Sequence, residues 1–178
     1  MFEMIVGHAT DCGRERDHNE DHYLVPIGVE TSTPYTYPVP GADVVARVGK
    51  AWILADGLGG HEGGEVASTT ASHAFVSAYY ASDAGDTPED RMQFAIRNAD
   101  AQVLAKAKEN SELAEMGTTL TAVAICEEDL VLGHVGDSRA YLLRDSFEQI
   151  SEDHTRAADY FRMGRITEKQ ARNAKDSP

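Results

Sequence analysis

Asp56 stands at the junction between an apolar run and a stretch of glycines. The sequence ADGLGGHEGGE covers residues 55–65, and five of the eight residues that follow Asp56 are glycine. A turn needs one or two glycines, whereas a larger number lets backbone carbonyls and amides approach a bound ion or phosphate closely. The stretch therefore predicts a binding site for a cation or a phosphate at Asp56.

Three other short segments place acidic residues beside predicted strands or helices. RDHNED (16–21) precedes a strand, GDSR (136–139) lies between two strands, and EDHT (152–155) precedes a helix near the C-terminus. Each segment also has a structural explanation: a turn before a strand, a hairpin turn whose aspartate bonds nearby amides, and a helix N-terminus. Taken one at a time, the three segments leave both explanations open.

Together, these segments contain the residue types that phosphoryl chemistry uses. Magnesium and similar hard cations prefer carboxylates, backbone carbonyls and water as ligands. Asp56, Glu20 and a carbonyl of the glycine turn could supply such oxygens. Arg16 adds a guanidinium group, which is suited to bidentate binding of phosphate. Cation ligands beside an arginine therefore indicate a site for a phosphorylated substrate.

The composition limits the classes of partner. The 178 residues suit one domain with its own core, and they carry 16 basic and 30 acidic side chains, a net charge of −14. No basic stripe is available to replace counterions, which predicts no nucleic-acid and no membrane partner. The acidity reflects either a solvated surface or, in part, carboxylates that hold cations. No membrane span or signal peptide is evident, and Cys12 and Cys126 have no metal or redox spacing, which predicts a cytoplasmic protein.

Hydrophobic periodicity predicts the elements that position these segments. Strands are predicted at 2–10, 22–27, 51–55, 118–126, 130–136 and 139–145, and helices at 62–81, 88–110, 155–163 and after a capping box at 167–170. Residues 28–46 are predicted to form a long loop between strands. The strands come in neighbouring runs and the helices come as a pair. This grouping favours antiparallel sheet with helices packed outside over alternating βαβ units.

The chain resembles a known family when its motifs are taken in order. RDHNED, ADGLGGHEGGEVAS, GTTLTAVAI, HVGDSRAYLLR, ISEDHT and GRIT are similar to the bacterial branch of the metal-dependent, type-2C (PPM) serine/threonine protein phosphatases. The resemblance implies a phosphatase domain over 1–178 with the α+β fold class. Its architecture would be an αββα sandwich, two antiparallel sheets with helices outside, that is C-terminally incomplete in this chain. Residues 154–173 would form the flap beside the active site.

The resemblance also implies a set of metal ligands. Asp56 would bridge two Mn²⁺ or Mg²⁺ ions, the Gly57 carbonyl would bind one of them, and Glu20 would serve that same ion directly or through water. Asp137 matches the aspartate that serves a third, weaker metal site in bacterial members. In the family, a metal-bridging water attacks phosphorus without a phosphoenzyme intermediate.

Two further residues have roles implied by the same resemblance. Asp21 would orient metal-bound water, and Arg16 would hold the phosphate of the substrate. The expected partners are phosphorylated proteins, together with a cognate serine/threonine kinase whose work the phosphatase reverses.

The sequence departs from the family in two places. Leu58 stands where many eukaryotic members carry a histidine proposed as general acid, and His61 is interpreted as a turn or helix-start residue rather than its substitute. The family also continues with strands whose aspartates complete the second metal site, and Asp153, Asp159 and Asp176 match neither of those motifs. We therefore expect a fragment of a longer phosphatase, weak or inactive by itself. A chain covered by a partner or second copy and a naturally degenerate phosphatase are the alternatives.

Two other functions compete with a protein phosphatase. A non-catalytic module would use the same scaffold to bind a partner or a phosphorylated peptide, and would hold one cation or none. A small-molecule phosphohydrolase would use the same metals but would turn over phosphopeptides and free phosphoesters at similar rates.

Overall fold

The computed structural model describes residues 4–26, 35–59 and 62–174, and it has an α+β architecture. Its first half contains β1 (Asp21–Pro26), β2 (Thr36–Tyr37), α1 (Ala42–Val48), β3 (Lys50–Leu58), α2 (Gly63–Tyr79) and α3 (Pro88–Glu109). After a 3₁₀ turn at Ser111–Leu113 come β4 (Gly117–Thr118), β5 (Leu120–Cys126), β6 (Asp129–Val135), β7 (Tyr141–Leu143), β8 (Phe147–Gln149), α4 (Arg156–Arg162) and α5 (Glu168–Asn173).

The described strands form one large sheet and one small one. The large sheet has the order β2-β1-β3-β5-β6, with β4 paired to β3, and all its pairs are antiparallel except β1 with β2. The small sheet is the antiparallel hairpin β7–β8. The predicted α+β class with a mostly antiparallel sheet is confirmed.

Helices α2 and α3 cover one face of the large sheet. Along β3, Ala51, Ile53 and Ala55 are buried, whereas Leu54 on the opposite face is 43% exposed. This alternation follows from the two-residue period of a strand, which sends successive side chains to opposite faces. The predicted apolar stripe of α3 is also confirmed, because it supplies Met92, Ala99 and Val103 to the core. The core therefore lies between the helices and one face of the sheet.

Four predictions about elements differ from the structure. In the described part of 2–10, only Ile5 has a strand-like bridge, so the predicted first strand is wrong there. The described part of the predicted loop 28–46 contains β2 and most of α1. This helix follows Gly41 and ends at Val48, and the next residue, Gly49, has φ of 75°. The predicted strand 139–145 is present as the shorter β7, and its hairpin partner β8 was not predicted. Residues 27–34, Gly60 and His61 lie outside the described residues.

The fourth difference concerns the glycine stretch itself. Strand β3 was predicted to end at Ala55, but it continues through Asp56 and Gly57 to Leu58. The reason is tertiary, since β4 pairs with Gly57 and Leu58 and so extends the ladder. Asp56 consequently lies inside a strand with fixed backbone geometry, and not in a turn.

Candidate active site

Asp56 faces Asp21 across the ladder between β3 and β1. The two residues are direct partners in the antiparallel register. The Gly57 amide donates to the Glu20 carbonyl at 3.2 Å, so Glu20 and Gly57 form a hydrogen-bonded pair. Pair types alternate along an antiparallel ladder, and the next pair, Asp21 with Asp56, is therefore the type whose side chains lie closer together. The register brings two predicted site carboxylates side by side.

The electrostatic environment of Asp56 is unusual for an aspartate. Partial burial raises the pKa of its carboxyl group above the usual value, and the neighbouring Asp21 and Asp137 carboxyls raise it further. The Arg16 guanidinium lowers this pKa but does not reverse the net direction. The structure thus places Asp21, Asp137 and Arg16 close enough to act on the carboxyl group of Asp56.

Two threonines that the sequence analysis did not assign hold the backbone of Asp56. The Thr119 amide and the Thr118 hydroxyl both donate to the Asp56 carbonyl, at 2.9 and 3.0 Å. In return, the Asp56 amide donates to Thr119 Oγ1 at 3.0 Å. Both threonines belong to the motif GTTLTAVAI, which marked the resemblance but carried no role. Their polar hydroxyls at the start of a buried strand were the available signal.

Gly57 lies where the backbone of α2 approaches β3. A Cβ atom on Gly57 would stand 2.0 Å from the Gly64 carbonyl oxygen, and one on Gly64 would stand 2.4 Å from Oε1 of Glu20. Only glycine fits at position 57, where the obstacle is backbone, whereas a side chain at position 64 would displace the Glu20 carboxylate. This close approach explains two of the five glycines after Asp56: they let a helix N-terminus pack directly on the strand.

Glu20 lies where the N-terminus of α2 packs against β3. Its side chain is largely buried, forms an ion pair with Arg16 Nη1, and lies 3.9 Å from His18 Nε2. Ser68 of α2 donates to the Glu20 carbonyl at 2.7 Å and fixes its backbone. Arg16, predicted to hold phosphate, is therefore bound to Glu20, which was predicted to hold a metal.

Asp137 lies in the turn after β6, and this turn is tied to several elements. Gly136 has φ of 107°, and its carbonyl accepts from His134 Nε2 at 3.0 Å and from the His154 amide at 2.8 Å. The hydroxyls of Ser138 and Thr119 are 2.8 Å apart. The turn that carries Asp137 is thus bonded both to the residue that holds the Asp56 backbone and to the segment before α4.

The predicted helix pair near the C-terminus is present as α4 and α5. Thr155 caps α4 by accepting from the Ala158 amide, and Thr167 with Gln170 forms the predicted capping box of α5. Arg139 binds both carboxylate oxygens of Asp153 just before α4, which lowers the pKa of Asp153. A cavity of about 610 Å³ separates this helix pair from the β7–β8 hairpin.

Comparison with known proteins identifies the family. Residues 42–173 match the family model described as Protein phosphatase 2C. The chain belongs to this family. The protein phosphatase 2C match includes β3 with Asp56 and Gly57, the turn with Asp137, and the helix pair α4–α5.

Two relatives of this protein phosphatase 2C chain come from bacteria. The serine/threonine phosphatase stp of Listeria innocua serovar 6a is 33% identical over 174 residues, which are 96% of this chain and 62% of that protein. The serine/threonine protein phosphatase PstP of Mycobacterium tuberculosis is 39% identical over 130 residues, 72% of this chain and 25% of PstP. The chain therefore spans less than two thirds of the length of these relatives.

Solved structures agree with the family assignment. A crystal structure of PstP/Ppp of M. tuberculosis superposes with a TM-score of 0.71 at 32% identity, covering 93% of this chain and 61% of that one. The PstP catalytic domain in complex with two manganese ions superposes with a TM-score of 0.68 at 32% identity, covering 90% and 60%. These matches confirm the predicted fold class.

The predicted site has donor types that a divalent metal prefers. Asp21, Asp56 and Asp137 carry hard oxygen donors, and partial burial, followed by the Asp21 and Asp137 carboxyls, raises the pKa of Asp56, an effect that a bound cation would oppose. Within residues 4–26, 35–59 and 62–174, no three His, Cys, Asp or Glu side chains are close enough to enclose an ion by themselves. The donor types fit Mn²⁺ or Mg²⁺, whereas the described side chains do not form a closed site, so that backbone carbonyls and water would complete the coordination. Leu58, at the position of the histidine that is proposed as general acid in many eukaryotic members, is 57% exposed.

No helix among the described residues is both long and apolar enough to cross a membrane.

Proposed function

We propose that this chain is the metal-binding portion of a cytoplasmic, metal-dependent protein serine/threonine phosphatase, with 154–173 as its flap. The observation that carries the proposal is the Asp21–Asp56 carboxylate pair, held face to face beside Asp137 and Arg16. The names of the relatives support the reaction class, and the two manganese ions in the PstP complex support the choice of metal. Its substrates would be phosphoserine and phosphothreonine proteins made by a cognate kinase.

Each site residue has a role in this proposal. Asp56, the Gly57 carbonyl and Glu20 would hold Mn²⁺ or Mg²⁺, and Asp137 would serve a further, weaker ion. Divalent ions neutralise charge on a phosphoryl group and lower the pKa of water. Asp21, opposite Asp56, would accept a hydrogen bond from the attacking water and orient it.

Arg16 would bind the substrate phosphate. Its guanidinium is two-thirds exposed and already lies against Glu20, so phosphate would compete with an existing ion pair. Leu58 supplies no proton, and the leaving alkoxide would take its proton from water. Arg16→Ala would chiefly raise KM, because the guanidinium binds the phosphate before the reaction as well as during it.

The proposal is tested by Mn²⁺ calorimetry on the 178-residue chain, paired with turnover of p-nitrophenyl phosphate and a phosphothreonine peptide. We expect Mn²⁺ binding that Asp56→Asn abolishes, and the matched variant Asp145→Asn, at the exposed β7–β8 turn, should bind as wild type. Unchanged binding by Asp56→Asn would remove Asp56 from the metal site. No binding by the wild-type chain would favour the non-catalytic module.

The turnover measurements separate the enzyme classes. We expect weak turnover by this chain and a large increase, of about 10²-fold or more, in a version extended to the full length of the relatives. Turnover of the peptide well above that of the small phosphoester supports a protein phosphatase. Equal rates on both substrates would favour a small-molecule phosphohydrolase.

A further inference from the structure

Thr119 stands between the two carboxylate-bearing segments of the site. It follows β4 directly, it is only 8% exposed, and its side chain reaches both Asp56 and the turn that contains Asp137. We propose that Thr119 is a positioning residue, whose single hydroxyl group holds Asp56 and the Asp137 turn in one fixed relation for metal binding. The inference rests on the proposed function, because it assigns Thr119 a purpose in the metal site proposed above.

The hydroxyl group of Thr119 makes two bonds at once. Its oxygen accepts from the Asp56 amide at 3.0 Å and lies 2.8 Å from Ser138 Oγ. A hydroxyl can serve both partners because it has one proton and two lone pairs. An isosteric methyl group at this position would serve neither. The bond to Asp56 is long-range, joining residues 63 positions apart.

The methyl group of Thr119 packs against the turn but makes no bond to Asp56. A Cβ atom on Gly136 would stand 2.6 Å from Thr119 Cγ2, so the Gly136 backbone packs directly on the threonine. The same glycine is bonded through its carbonyl to His134 and His154. The Asp137 turn is therefore clamped between Thr119 and the two histidines, with little freedom to move relative to Asp56.

A simpler role for Thr119 would be to hold the junction between β4 and β5 on β3. The Thr119 amide already does this by donating to the Asp56 carbonyl of β3, and no side chain is required for that bond. The hydroxyl adds the link to Ser138, which lies outside the sheet ladder. A threonine that only held the sheet together would need no contact with Ser138. The link from Ser138 through the Thr119 hydroxyl to Asp56 therefore distinguishes the two roles.

The first measurement is amide hydrogen exchange by NMR on the metal-free chain. Thr119→Val should speed exchange of the Asp56 amide by about tenfold, which corresponds to one lost hydrogen bond. Thr119→Ser keeps the hydroxyl and should restore this rate to within about twofold of wild type. Unchanged exchange at Asp56 in Thr119→Val would overturn the proposed link, as would a failure of serine to rescue it.

The second measurement is the Kd for Mn²⁺ by calorimetry. Thr119→Val should raise Kd by about three- to tenfold although it removes no ligand, and Thr119→Ser should restore it. Thr70→Val, a matched change on the half-buried surface of α2, should leave Kd unchanged. If Thr119→Val binds Mn²⁺ as wild type does, the positioning role is wrong.

A double-mutant cycle keeps the test independent of folding defects. Ser138→Ala removes only the far end of the link, and the double variant Thr119→Val/Ser138→Ala should have the same Kd as Thr119→Val alone. Additive effects would overturn the coupling. If the wild-type chain itself binds no Mn²⁺, the proposed function fails, while the exchange rate of the Asp56 amide still decides whether the Thr119 hydroxyl holds Asp56.

Discussion

Asp21 and Asp56 lie directly opposite each other in the β1–β3 ladder, next to the hydrogen-bonded pair Glu20–Gly57. Both strands are held by the sheet, so the backbones of the two aspartates cannot move apart without breaking the pairing. Partial burial and the Asp21 carboxyl accordingly raise the pKa of Asp56. The fold holds like charges together, an arrangement that is unfavourable for stability and suited to a cation.

Replacing Asp56 by asparagine should stabilise the metal-free protein at neutral pH. The folded-state pKa of Asp56 lies above its unfolded value near 3.8, so its contribution to stability is full below that value and is lost as pH rises through the folded pKa. Asp56→Asn should raise Tm at pH 7 by about 1 to 3 °C, a modest gain since Asp56 is partly exposed. Thermal unfolding in EDTA at pH 7 and pH 3.5 measures this.

The same gain should vanish at pH 3.5, where Asp56 is protonated in the wild type. Asp145→Asn, an exposed control, should not change Tm at either pH. A lower Tm for Asp56→Asn at pH 7 would contradict the like-charge interpretation of this site.

Replacing Gly57 by alanine should strongly destabilise the fold. The new Cβ would stand 2.0 Å from the backbone oxygen of Gly64, and a backbone atom cannot turn aside as a flexible side chain can. We expect a loss of about 2 to 3 kcal/mol in the free energy of unfolding, measured by urea denaturation. Gly7→Ala is the control, because nothing lies within 4 Å of the atom it adds. Equal stability of the two variants would show that α2 does not pack on β3 as described.

Replacing the buried Arg91 should loosen the end of α2. Its Nη1 donates to the carbonyls of Tyr79 and Ala81 at 2.8 and 3.0 Å, which are acceptors at the C-terminus of the helix. Arg91→Leu leaves the buried Tyr79 carbonyl without this donor and the Ala81 carbonyl with only the Ala84 amide, and it should cost about 2 to 3 kcal/mol in the free energy of unfolding. Arg97→Leu changes an exposed arginine on the same helix and should cost less than about 0.5 kcal/mol. A similar cost for both variants would contradict the capping role.

Acid should release the segment before α4. Arg139 bonds to Asp153 and lowers its pKa below the usual 3.8, so this contribution to stability is full above that value and is lost as pH falls through the folded pKa. Hydrogen-exchange protection factors of the α4 amides should therefore drop between pH 6 and pH 3. Asp153→Asn should show the low protection already at pH 6. Full protection of α4 in that variant would remove the Arg139 pair as its anchor.

Local sequence patterns predicted the elements whose apolar faces are regular. The stripe on α3, the start of α2 near residue 62 and the capping box at Thr167 are properties of neighbouring residues, and the structure confirms all three. Helix α1 was missed because prolines and glycine before it are typical of a loop. Strand β8 was missed because it is short and fully exposed, with no alternation to mark it.

The sequence by itself determined the residue types of the site, the order of its motifs, and the family to which they belong. Only the tertiary structure decided which of those residues meet. Asp21 faces Asp56 through strand register, Thr119 reaches Asp56 across 63 positions, and Arg16 is paired with Glu20. Register and side-chain pairing depend on how distant segments pack, and a local pattern of residues carries no information about such distances.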